Sequence, residues 1–214
     1  RKLTITVERD RSVVVHAPEG TSEDKIRQVV ESKRQWLFEK MHHGQKYTDI
    51  PHPPGKELVN GESALYLGRN YRVAITDTPS GEIEFSQQFQ VPPKMAKEGV
   101  KALLAWYMDR SKLKILPRVP HHARQLGVEY GDACITDSKY RWGSCSVNNN
   151  LSFNWRLIKA PMSVIDYVVV HELAHLIEPN HTPRFWNIVK AQNPQTDQAK
   201  AWLKEHGELL EQSL

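Results

Sequence analysis

Cysteine is nearly absent from this chain of 214 residues: only Cys134 and Cys145 occur, with residues 135–144 between them. Two such residues build no disulfide framework, and their spacing is not a C-x-x-C metal pair. A reducing compartment, the cytoplasm, is therefore expected. Long hydrophobic runs are also missing. No stretch of ~18 apolar residues exists, so neither a transmembrane helix nor a membrane partner is expected. There is no internal repeat and no low-complexity tract. Charge of one sign does not dominate either. The formal net charge of +4 leans toward anionic partners but is not the footprint of a nucleic-acid binder. The sequence begins at Arg1 without a Met, which leads us to expect residues before it, and no targeting segment is visible. The length allows one substantial core, or a core with a small accessory domain.

What is present reads as an α+β protein. Leu3–Val7 alternates and Ser12–Ala17 is β-branched around a polar stretch at 8–11, which predicts a hairpin. Thr21 or Ser22 caps a helix running to about Met41, with Ile26, Val29, Val30, Trp36 and Leu37 on its apolar side. His42-His43 follows at its end, where cations suit the helix dipole. Adjacent residues do not share a helix face, so this pair is not read as a metal site. Pro51–Gly55 holds three prolines and resembles a linker. Ser63–Leu67 and Tyr71–Ile75 flank a turn signal at Gly68-Arg69-Asn70, and Glu82–Phe85 is a further strand. From Pro93 the period turns helical, with Val100, Leu103, Leu104, Tyr107 and Met108 in register. Pro117 and Pro120 interrupt it, and Pro120 starts a second helix through Leu126. Leu151–Leu157 alternates as a strand whose polar face carries Ser152, Asn154 and Arg156. Two helices, Pro183–Gln192 and Thr196–Leu210, close the chain. A boundary at 90/91 separates the strand-rich 1–90, with its one helix, from 91–214.

The most informative stretch is His171-Glu172-Leu173-Ala174-His175, inside the apolar segment Val164–Ile177. Residues four apart on a helix share a face, so His171 and His175 can aim nitrogen lone pairs at one metal ion. Glu172 is placed to take a proton from an activated water without becoming a ligand itself. Val168-Val169-Val170 would not occur on a solvated helix, so the histidines are expected at the bottom of a cleft. Catalytic zinc usually takes three protein ligands, and His181 is the expected third. Pro161 suits the first helical turn, Pro179 ends the helix near Glu178, and Asn180 tolerates a left-handed turn. The rival third ligands are Glu178, on the same face as His171, or a more distant carboxylate, Glu205 or Glu208. His181 also reads as a helix-entry residue before Thr182, an N-cap. The spacing has the metzincin ligand count, but Glu178 stands where those enzymes use glycine, which argues against a true metzincin. Three neutral imidazoles favour Zn2+ over magnesium.

The Arg141–Ser146 segment is expected along the cleft as an edge strand that binds an extended substrate. Gly143 permits close backbone approach there. The guanidinium fork of Arg141 suits a carboxylate or phosphate, or else makes a surface ion pair. Ser144 and Asn154 could donate to an oxyanion, or equally satisfy nearby backbone groups. Trp142 reads as core or cleft wall and Cys145 as a packing residue rather than a nucleophile. Phe185 and Trp186 are expected under the metal site. His121, His122 and His206 read as ordinary surface or helix residues.

Several segments together carry a resemblance: Arg141-Trp142-Gly143-Ser144-Cys145-Ser146, Asn154-Trp155-Arg156-Leu157, Ala160-Pro161, Tyr167–His175, Asn180-His181 and Phe185-Trp186. The chain resembles the YgjP-like family of predicted zinc-dependent metallopeptidases and, more distantly, the SprT and WLM metallopeptidase groups. The likeness is close over about Tyr107 to Trp186 and extends weakly to the N-terminal strands. It implies a zincin-like catalytic domain over 91–214, with His171, His175 and His181 as zinc ligands and Glu172 as the base. The implied activity is zinc-dependent hydrolysis of a peptide or protein substrate. Some members carry a UTP pyrophosphatase assignment, so the alternative is a nucleoside triphosphate pyrophosphohydrolase. Its phosphate-binding cluster would be Lys139, Arg141, Arg156 and Lys159. A non-catalytic module with a structural metal is a third reading, and Glu172 speaks against it.

Overall fold

The computed structural model describes residues 3–7, 13–42, 58–138 and 141–211. Contacts divide the chain into two units, Arg1–Pro51 and His52–Leu214. In the first, β1 (Thr4–Val7) and β2 (Val13–His16) pair antiparallel with Ile5 opposite Val15. The single helix expected to Met41 is two, α1 (Glu23–Ser32) and α2 (Arg34–His42), because the chain leaves helical geometry at Lys33 (φ −106°, ψ 10°). Ser22 has the extended N-cap backbone but makes no capping bond; Glu23 and Asp24 instead face the first-turn N–H groups with their charge. The polar stretch at 8–11, His43 and the proline-rich 51–55 lie outside the described residues.

The second unit holds two sheets. The first comprises β3 (Ser63–Tyr66), β4 (Arg69–Ile75), β5 (Glu84–Phe85) and β6 (Phe89–Val91) in the order β3-β4-β6-β5, with β4 and β6 parallel. Tyr66 pairs with Arg69, so the hairpin turn is Leu67-Gly68, not 68–70. Both turn residues have positive φ (47° and 81°), as a two-residue loop of this hand requires. β6 had no signature in the sequence: three residues are too few to show a period. The expected 90/91 boundary falls within it. Phe89 and Val91 are fully buried, and Phe89 packs on Trp106 and Tyr107, which belong to the helix after the sheet. Gly99 (φ 58°) splits that region into α3 (Pro93–Glu98) and α4 (Val100–Ile115).

The second sheet carries the cleft. It has the order β7 (Ala133–Thr136), β9 (Leu151–Asn154), β8 (Gly143–Cys145), with β9 parallel to β7 and antiparallel to the edge strand β8. The strand expected through Leu157 stops at Asn154. There the Asn154 side chain accepts a hydrogen bond from Arg156 N (3.0 Å), and Trp155–Lys159 winds into a 3-10 helix. Side-chain capping of this kind outcompetes strand pairing. Before this sheet, α5 (Arg118–Leu126) begins two residues ahead of Pro120, which sits in the first turn where its missing N–H costs nothing.

Helix α6 (Met162–Ala174) is the centre of this unit, packed against α5, α7 (Pro183–Gln192), α8 (Thr196–Glu211), β8 and β9. Val164, Ile165, Val168, Val169, Val170 and Leu173 are all at most 3% exposed. Each such side chain contributes roughly 1.5–3 kcal/mol of burial. The helix ends at Ala174, earlier than Pro179 suggested. Leu176 N and Ile177 N bond back to Leu173 O and Ala174 O, three residues before each, and these bonds tighten the last turn. The start is fixed by the β3–β4 hairpin. Leu67 N and Gly68 N donate to Ile158 O and Lys159 O (2.9 and 2.8 Å), and a Cβ on Gly68 would stand 2.6 Å from Pro161 Cγ.

Charge fixes the flank of α6. Arg118 donates two bonds to Asp166 (2.6 and 2.7 Å), and His122 Nε2 lies 3.2 Å from the same carboxylate. His122, read as an ordinary surface or helix residue, lies on α5 and is buried against this carboxylate; its partner is distant in sequence, so no local pattern announces it. Burial pushes the Asp166 carboxyl up, but bonds and charge from His122 and Arg118 win and hold it below its ordinary value. That stabilisation is complete above an unfolded value of 3.8 and is lost as pH falls through the lower folded value. Asp166→Asn should destabilise the protein by about 2 kcal/mol at pH 6. In urea unfolding the gap to wild type should narrow as pH falls below 3.8 and close below the lower folded value; a gap independent of pH would contradict this.

Candidate metal centre

α6 sets His171 and His175 one turn apart, their rings 5.1 Å between centroids. His181 arrives from the segment between α6 and α7. Thr182 Oγ1 accepts from Phe185 N and caps α7, so His181 is both a helix-entry residue and a neighbour of the other two imidazoles. One ring nitrogen from each of the three lies within 4.8 Å of the others. Among the described residues this is the group of ligand-type side chains close enough to hold one ion; Glu178, Glu205 and Glu208 are not part of it.

The rings are oriented from behind. His171 Nδ1 lies 3.5 Å from the hydroxyl of Tyr167, one turn earlier on α6, and His171 Nε2 lies 3.0 Å from His181 Nε2. His175 Nδ1 donates to Glu178 O (3.4 Å). The outer nitrogens thus face oxygen, leaving Nε2 of His171 and His175 toward the centre, the arrangement that fixes ligand tautomers in metal sites. Beneath them Phe185, fully buried, lies 4.6–4.9 Å from all three imidazole centroids. Trp186 stacks on His181 at 22°, and Lys200 Nζ sits 3.9 Å from the Trp186 ring centre. Burial, with His175, His181 and Lys200 adding, pushes His171 down to about 3; burial and the charges of His175 and Lys200 push His181 down as well. His171 and His181 are therefore held in the neutral form that ligates. Three imidazoles so placed fit a divalent transition ion.

Glu172 lies against β8. It is 6% exposed, and burial pushes its carboxyl up to about 7 against the pull of Arg141. A Cβ on Gly143 would stand 2.7 Å from Glu172 Cγ and 2.8 Å from Oε1. Glycine is needed there so that the strand backbone can lie on the carboxylate. A glycine inside a strand is the usual mark of such an approach.

These groups share one cleft of about 600 Å³, with the histidines and Glu172 on one side and Arg141 and β8 on the other. Ser144 lines it, its hydroxyl 2.8 Å from that of Ser152. Asn154 does not reach it. It is 1% exposed, and its amide donates to Ser138 O (2.7 Å) and Arg141 O (3.1 Å), tethering the loop that carries Arg141. Burial and Glu172 push the Cys145 thiol up, away from a thiolate. Of the four cations weighed for phosphate, the three described ones do not converge. Arg156 pairs with Asp137 and covers Trp155, Lys159 is buried beside Trp155 and Tyr107, and Lys139 lies outside the described residues. Sequence reasoning missed Tyr167, although its spacing of four from His171 places it on the same face.

A sequence model of the YgjP-like metallopeptidase domain matches residues 1–206. Among solved structures, the crystal structure of the metallopeptidase zymogen of abylysin from Pyrococcus abyssi is similar over 47% of this chain and 99% of that chain. The identity is 19% and the TM-score 0.40. No curated protein matches the chain.

Tyr167→Phe should weaken divalent-metal binding about tenfold, because the outer nitrogen of His171 loses its oxygen partner. Competition with a chromophoric chelator measures this; unchanged affinity would show that Tyr167 does not orient the ring.

Proposed function

The chain belongs to the YgjP-like metallopeptidase family of metal-dependent hydrolases, and from that premise we propose that it cleaves peptide bonds, with Zn2+ held by His171, His175 and His181 and Glu172 as general base. The observation that carries this reading is the imidazole triad sharing one cleft with the buried carboxyl of Glu172, which lies against the edge strand β8. Zinc held there supplies the Lewis acidity that activates water and polarises the scissile carbonyl. Glu172 takes the proton released in the attack and returns it to the leaving amine, a task that suits a carboxyl near pH 7. β8 offers backbone groups along the sheet's edge, and an extended peptide can pair with them beside Gly143. Arg141, exposed at the cleft, can hold a substrate carbonyl or carboxylate.

A phosphate substrate has weaker support, since a site of that kind wants several cations in one pocket, and of the described cations weighed for it only Arg141 lines the cleft. The free thiols of Cys134 and Cys145 support a reducing, cytoplasmic location. Among the described residues no helix is long and apolar enough to cross a membrane.

Glu172→Gln should keep its metal and lose cleavage of an unstructured, casein-like protein by about 10²–10⁴-fold. Metal analysis alongside the protease assay checks both halves. Cleavage at the wild-type rate would remove Glu172 from the mechanism. Pyrophosphate release from a nucleoside triphosphate, lost in the same variant, would replace the peptide reading.

A further inference from the structure

Val147 is 99% exposed, the most exposed of the large hydrophobic side chains among the described residues, and it lines the same cleft. It sits at the tip of the β8–β9 hairpin, among Ser146, Asn148, Asn149 and Asn150. A lone exposed valine on an open surface needs no explanation. This one is not alone: Leu176, half-buried, and Pro179 line the same cleft, and both follow the His175 turn. Nor is the turn loose. Asn149 N donates to Ser146 O (3.0 Å), Ser146 N to Asn150 O (2.9 Å) and Asn150 N to Ser146 Oγ (3.1 Å). Two further bonds tie the turn to the strand entry at β7: Gly131 N to Asn149 O (3.0 Å) and Asp132 N to Asn150 Oδ1 (2.9 Å). Asn149 takes the left-handed conformation (φ 59°) that the turn requires. The fold therefore holds Val147 in place while burying none of it, so the side chain contributes almost nothing to folding.

Resting on the peptidase reading, we propose that Val147, with Leu176 and Pro179, forms an apolar subsite that selects an aliphatic or aromatic side chain of the peptide. Its distance from the reacting centre follows from the strand. Gly143 lies against Glu172, and Val147 is four residues further on. Four extended residues span at most about 13 Å, and a paired peptide advances at the same rate. The selected side chain then lies within about four residues of the cleaved bond, on one side of it only. An apolar contact of this size is worth about tenfold in kcat/KM between matched substrates. A carboxylate at 147 would leave a charge facing that side chain and abolish the preference.

The test is digestion of a peptide library by wild type, Val147→Ser, Val147→Asp and Glu172→Gln, with cleavage sites read by mass spectrometry and thermal melts to show that the variants fold. Wild type should show Glu172-dependent cleavage with apolar residues enriched at one position within four of the bond. For paired peptides carrying Leu or Ser at that position, the ratio of kcat/KM should fall from about ten to near one in Val147→Asp. Glu172-dependent cleavage with no apolar enrichment, or with the same enrichment in Val147→Asp, overturns the subsite and leaves the peptidase standing. Absence of any Glu172-dependent cleavage overturns both.

Discussion

Helix α6 can present chemistry because it is clamped from several directions at once. Its valines and leucine fill the core, Asp166 is tied to Arg118 and His122, and Gly68 at the hairpin tip leaves no room for Pro161 to shift. A helix so held has one remaining outlet, the face that carries His171, His175 and Glu172 into the cleft. Packed interiors do not deform continuously. The spacing of the two imidazoles is thus set by the core rather than by any ion. The third comes from a separate constraint, the N-cap of α7, which places His181 just as the chain turns into that helix. The triad is preorganised by packing on one side and by helix initiation on the other.

The carboxyl of Glu172 is the complement of that rigidity. Water is kept from it by β8, whose backbone at Gly143 touches it. Removing solvent makes the charged form costly and brings the group toward neutrality, which is where a base that must later act as an acid works best. The same strand is the edge of its sheet, with its outer side unpaired among the described strands. A single element, β8, thus encloses the carboxyl proposed as the base and leaves an edge on which, under the proposed function, an extended chain would pair. Exposed Arg141 at its start and Val147 beyond its end give the cleft a cationic and an apolar extremity.

The closeness of His171 and His175 was legible from five consecutive residues because helical spacing converts sequence directly into a shared face. The fold class, the closing helices and the edge position of Gly143–Cys145 were legible for the same reason: period and punctuation are local. What failed was non-local or too short. β6 has three residues, His122 finds Asp166 across 44 positions, and the strand through Leu157 broke because Asn154 caps a 3-10 helix instead of facing the cleft. The end of α6 was misplaced because Pro179 looked like the stop, whereas three-residue hydrogen bonds had already tightened the turn at Leu176. Of the basic residues weighed for phosphate, near one another in sequence, Arg156 and Lys159 are carried by that 3-10 helix into an ion pair and an aromatic core, away from Arg141 in the cleft.

The central claim is that three imidazoles, and no carboxylate, hold one zinc ion. X-ray absorption at the zinc edge on the metal-loaded protein tests it most directly. The expected spectrum shows three imidazole nitrogens at about 2.0–2.1 Å and one further light atom, with one imidazole fewer in His181→Ala. A wild-type spectrum with two imidazoles, or one unchanged in His181→Ala, would contradict the assignment and return the third ligand to a carboxylate such as Glu178.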